Sequence, residues 1–173
     1  RGQLALDLVS FDARAAGSAR LSLGMGGHLL LRELHVQIPF GSDLLPLIPA
    51  AWSGRLRLEF SRVEVADHRL SALSGVATAF ELVQRNPPLA FGSYELRFDA
   101  AAQTGGMIVA SLHDLGGPLT VTGTLQLRQG SSYELNGLVS AGPEASPELA
   151  KAIEYLGPAD AQGRRPFSLA GTL

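Results

Sequence analysis

Apolar and polar residues alternate with a period of two along most of this chain, most clearly over residues 111–128. There Leu119, Val121, Leu125 and Leu127 fall on one face with Gly123 in the same phase, and Thr120, Thr122, Thr124 and Gln126 fall on the other. Successive side chains of a strand point to opposite faces, so this period makes a strand and excludes an apolar helical stripe. Just before it, Gly116 and Gly117 accept positive φ and Pro118 has no N–H for a ladder. The pattern therefore predicts a β-hairpin with its turn at 115–118. Asp114 is of the residue type that accepts backbone N–H groups from such a glycine turn.

The same grammar predicts strands from Leu4 to near Phe11, over 19–23 and over 28–38, with Asp12 to Ser18 as a turn. Leu34, Val36 and Ile38 are expected inward; the unalternating Leu29 to Leu31 fits burial on both faces or a bulge. Residues 39–54 are broken by Pro39, Pro46 and Pro49 and read as a loop folded against an apolar surface. Residues 54–60 form a clean strand, and 62–65 continue it one step out of phase, which places a bulge or short turn at Ser61–Arg62. Val76, Thr78, Phe80 and Leu82 make another strand, stopped by Asn86, Pro87 and Pro88. Further strands are expected over 94–98, 107–113, 133–139 and 167–173, the last with Phe167, Leu169, Gly171 and Leu173 in phase. One helix is predicted, 147–156, with Leu149, Ala152, Ile153 and Leu156 on one stripe. Ser146 is its cap, Pro147 its first turn, and Gly157 with Pro158 its stop.

The expected fold is mainly β: a curved antiparallel sheet of about nine or ten strands, as a half-barrel or an open sandwich, with one short helix near the C-terminus. The core positions expected are Leu4, Leu6, Leu21, Leu34, Val36, Ile38, Leu56, Leu58, Phe60, Val76, Phe80, Leu96, Phe98, Val121, Leu125, Leu135, Ile153 and Phe167.

At 173 residues the chain suits one domain, 1–173. With 46% hydrophobic residues it is apolar enough to fold, and 14 basic against 16 acidic residues, scattered singly, leave no basic face for nucleic acid. The absence of cysteine excludes disulfides, thiolate metal sites and thiol nucleophiles. No run approaches the roughly 20 apolar residues of a membrane-spanning helix. The chain opens on Arg1, already in strand rhythm, and reads as the trimmed or processed part of a longer protein.

The chemistry-bearing residues are sparse. His28, His35, His68 and His113 form no metal-binding spacing, so no metal and no cofactor are expected. His113 beside Asp114 lacks a serine in a nucleophile motif and reads as a turn hydrogen-bonding group; Asp67–His68 reads as a polar corner. The pairs Glu59 with Glu64 and Glu144 with Glu148 are of a kind that any sequence supplies. Trp52, Leu47 and Ile48 in the proline-rich stretch are candidate partner contacts, although such a loop more commonly only covers a core edge. Arg164 and Arg165 form a basic corner that would meet an acidic partner or a lipid headgroup, or simply solvate a turn.

Several stretches together resemble protein N of the bacterial type II secretion system. They are G-S-Y-E-L-R-F from Gly92, L-x-D-L-G-G-P-L-T-V-T-G-T-L from Leu112, Y-E-L-N-G-L-V from Tyr133, L-x-x-A-I-E-Y-L-G-P-A-D from Leu149 and G-R-R-P-F-S-L-A-G-T-L from Gly163. Upstream, L-R-E-L-H-V-Q-I-P and W-S-G-R-L-R-L-E-F fit more loosely. The resemblance implies a periplasmic β-rich domain, anchored in the inner membrane by an amino-terminal span in the full-length protein. It implies a non-enzymatic accessory of the export machine, with the inner-membrane platform or the outer-membrane secretin as partners. The alternative is a carrier of lipid or another apolar ligand in the lap of the curved sheet. These two readings part on whether the predicted helix packs over the apolar face.

Overall fold

The computed structural model describes residues 4–12, 15–23, 28–40, 51–67, 69–103, 106–128 and 132–172. Its strands are β1 (Leu4–Asp12), β2 (Ala15–Leu23), β3 (Leu29–Phe40), β4 (Trp52–Ala66), β5 (Arg69–Gln84), β6 (Leu89–Phe98), β7 (Met107–Asp114), β8 (Leu119–Arg128), β9 (Ser132–Ala141) and β10 (Arg165–Thr172). Among the described residues one α-helix, α1 (Pro147–Glu154), lies between the last two strands, and a 3₁₀ turn, Ala100–Ala102, between β6 and β7. The ten strands form one antiparallel sheet in chain order, β1 to β10, so strands consecutive in the chain are neighbours in the sheet. Among the described residues β1 pairs only with β2 and β10 only with β9: the sheet is not closed into a barrel, and no second sheet packs on it.

One face, here called inner, carries the core and α1. Phe60, Leu73, Phe98, Ile108 and Ala110 form one buried cluster; Leu112, Leu119, Val121, Val139 and Leu149 form a second. α1 lies over the second cluster only. Ser146 caps it, its hydroxyl accepting the Leu149 N–H at 3.2 Å, and Leu149 is 2% exposed. The opposite, outer face is polar, with same-face ion pairs such as Arg97–Glu95 at 2.7 Å and Arg62–Glu64 at 2.6 Å.

With no second layer over much of its inner face, the sheet buries that face by curling. Cα atoms of β6 and β8, two strands apart, come within 8 Å of each other; in a flat sheet they would stand about 9.5 Å apart. The middle of β5 permits this. Its inner face carries Gly75, Ala77 and Ala79, flanked in register by Phe60, Leu58 and Leu56 on β4 and by Phe98, Leu96 and Tyr94 on β6. Large side chains on either side lean over a small one, and the Phe60 and Phe98 rings meet edge to face at 5.6 Å. Trp52 of β4 likewise stacks on Phe91 of β6 at 4.4 Å. Bulges reinforce the bend. Register shifts between Ser18 and Arg20 and between Phe60 and Arg62 flank Glu33, at φ 54, so irregularities line up across β2, β3 and β4.

The expected strand count, the helix and the bulge at Ser61–Arg62 all appear. Several expectations need correction. Residues 15–18 are strand rather than turn, paired with β1 and, from Ala16, with β3; Ala-Ala-Gly-Ser has no large apolar side chain to mark a phase. Val76 and Phe80 sit on the outer face, between charged neighbours, with Arg57 over the Phe80 ring at 4.9 Å. In the middle of β5 the larger side chains, Val76 and Phe80, point outward because the inner side of the bend has room only for Gly75, Ala77 and Ala79. Leu82 is buried, beyond a bulge at Glu81. α1 ends at Glu154, and Leu156, 43% exposed, is not on its buried stripe. Of the expected core, Phe60, Phe98 and Val121 are buried, while Leu34, Leu58, Leu96, Leu125, Leu135, Ile153 and Phe167 are half-buried against the clusters. Leu21, Val36, Ile38 and Leu56 are half-buried too, and the side chains of Leu4 and Leu6 lie outside the described set.

Candidate functional site

The hairpin turn at 115–118 is a junction rather than a loose loop. Gly116 and Gly117 take φ of 89° and 123°, and Asp114 accepts the Gly116 N–H at 3.2 Å and the Val121 N–H at 2.9 Å. Gly142 donates to the Pro118 carbonyl at 2.8 Å, tying the exit of β9 to the turn. A side chain at Gly92 would meet Pro118 at 3.2 Å, so β6 also packs on it. Nearby, the Tyr94 hydroxyl donates to the Phe91 carbonyl, and its pKa is pushed up to about 12, chiefly by burial and further by the Asp114 charge.

His113 and Asp114 do not form a dyad. As neighbours in β7 they point to opposite faces: His113 is exposed opposite Thr122, while Asp114 is committed to the turn. No group of three or more metal-ligating side chains occurs among the described residues. An open cleft of about 360 Å³ lies across β2, β3 and β4. It is lined by Ala16, Gly17, Ser18, His35, Val36, Gln37, Arg57 and Glu59.

The candidate contact residues fall in separate places. Trp52 opens β4 and spends its ring on Phe91. Leu47 and Ile48 lie outside the described residues. Arg164 is held by Asp160, at 2.9 Å through Nε and 2.8 Å through Nη2, and Arg165 donates to the Gly157 carbonyl. The Arg164 backbone N–H on Asp160 is the main reason that carboxyl sits below its usual range. Both guanidinium groups therefore fasten the 157–164 link that carries the chain from α1 to β10.

What the fold presents outward is its last strand. β10 is regular against β9 over all eight residues, without a bulge. Phe167 lies over Gly137 and Tyr133 over Gly171, pairings of aromatic and glycine that stabilise a sheet margin. Leu169, on the inner face opposite Leu135, is 58% exposed, with no strand on its other side among the described residues. Sequence reasoning placed Leu169 on a strand but had no signal for which strand would lie at the margin.

Comparison with known families matches residues 1–168 to the family described as type II secretion system (T2SS), protein N. The chain belongs to that family. Comparisons with curated proteins and with solved structures found no match. The T2SS protein N match spans the described sheet up to Ser168, so the turn at 115–118, α1 and the first half of β10 lie within the family's extent.

Proposed function

We propose that this chain is a non-enzymatic accessory of type II protein secretion, acting in the periplasm through contacts with other subunits of the machine. Membership of the T2SS protein N family supports the setting. The observation that carries the mode of action is the open sheet, which among the described residues ends in two strands each paired on one side only. An unpaired edge offers a row of N–H and C=O groups, and adding a partner's strand to it satisfies both sides without any pocket. The full-length protein, on this reading, holds 1–173 as one periplasmic domain tethered to the inner membrane; the ground for the tether is the family resemblance.

The carrier reading finds less support. α1 packs over one end of the inner face, and beside it the curl brings a second cluster of side chains together. The deciding experiment introduces photo-reactive residues at Trp52, along β1 and along β10, in cells producing the complete machine. Adducts to an inner-membrane platform subunit or to the secretin are expected. If only lipid is captured, and it co-purifies with the protein, the contact reading falls in favour of a carrier.

A further inference from the structure

We infer that the β10 edge is a self-association surface, pairing with β10 of a second copy of this chain about a two-fold axis at Leu169. Natural edge strands are protected by lysines, inward charges, bulges or prolines. β10 has Pro166 near its start and is otherwise unguarded: residues 166–172, P-F-S-L-A-G-T, carry no charge, and the register against β9 is unbroken.

The strand is also complementary to itself. Two copies of one strand related by a two-fold axis must run antiparallel. Centred on Leu169, that register sets Leu169 against the second copy's Leu169, Phe167 against Gly171, and Ser168 against Ala170. Each large residue then faces a small one or an equal apolar one. The match of aromatic with glycine repeats what β10 already makes with β9, where Phe167 faces Gly137 and Tyr133 faces Gly171. Arg165, the strand's one charge, would lie at opposite ends of the two-fold, about 27 Å from its counterpart, beyond the screening length at physiological salt. Leu169, 58% exposed, gains the flanking neighbour it lacks, as Leu135 already has on both sides. A second copy is favoured over an unrelated strand because this one register satisfies size and charge together. The β1 edge is left for other subunits, so the inference stands or falls separately from the secretion reading.

The natural absence of cysteine makes the test clean. Leu169→Cys places the two thiols on directly paired residues, whose Cα separation of about 4.5–5.5 Å suits a disulfide. Under mild oxidation of the purified protein, L169C is expected to double its mass on a non-reducing gel, while S168C, one step off the axis, stays largely single. The double variant S168C/A170C is expected to crosslink again. Light scattering of the cysteine-free protein at rising concentration should reach twice the monomer mass, and Leu169→Asp should abolish that shift. A monomer at every concentration with no L169C disulfide overturns the inference, as does equal crosslinking of L169C and S168C.

Discussion

Gly75 and Gly116 separate two uses of glycine. Both have positive φ, at 140° and 89°, yet a Cβ at Gly75 would lie 2.3 Å from the Glu59 carbonyl oxygen and 2.6 Å from the Phe60 Cα, whereas one at Gly116 meets nothing within 4 Å. Gly75→Ala therefore combines backbone strain with a clash against backbone that cannot yield, at a cost of about 2–3 kcal/mol or more. Gly116→Ala bears only the left-handed conformation, about 1–2 kcal/mol. Urea unfolding midpoints of the two variants should differ accordingly; equal losses would mean that the Phe60–Gly75–Phe98 row does not set the bend. Tyr94 supplies a pH dependence. Its hydroxyl holds its proton more tightly folded than unfolded, so the associated stability is fully present below about pH 10 and is lost as pH rises toward 12. Tyr94→Phe should flatten that alkaline fall in stability, and an unchanged slope would assign it to other groups.

Among elements, α1 decides whether the end of the inner face is sealed. Ser146 caps it, and Leu149 is the helix residue fully buried against Leu112, Leu119, Val121 and Val139. Ser146→Ala should cost about 1 kcal/mol. Leu149→Ala should cost about 2–5 kcal/mol and open the second cluster to a hydrophobic dye; without dye binding, α1 would not be the seal. The helix was legible in sequence because its cap, its proline and its apolar spacing are all local. Its end was not: Leu156 fits the stripe, but the helix stops at Glu154, and Tyr155 and Leu156 beyond it stand exposed. β5 shows the same limit differently. Alternation marked its residues as a strand, yet the face could not be read from hydrophobicity, because a tight bend puts small residues inside and Val76 and Phe80 outside.

For the whole molecule, incomplete covering is the governing fact. The described residues form a single sheet whose inner face is sealed by a helix at one end. Protection should then grade across the sheet. Amides of β6, β7 and β8, paired on both sides, should exchange slowest, and those of β1, together with β10 in dilute solution, fastest. Hydrogen exchange read by mass spectrometry checks this. Uniform protection from β1 to β10 would mean that the two margins are joined.

Sequence alone determined what depends on neighbours in the chain. Alternation marked the strands, glycine with proline marked the turn after Asp114, capping residues marked α1, and a slipped phase marked the bulge at Ser61. The motifs from Gly92 onward also carried the family resemblance. Tertiary structure decided what depends on residues far apart in the chain: that Arg164 and Arg165 fasten a link, that Trp52 stacks on Phe91 across β5, and that Leu169 stands at an open margin. The reason is physical. A period of two specifies a pleated strand with two faces, but which face is buried, and where the sheet stops, follow from pairing and curvature summed over all ten strands.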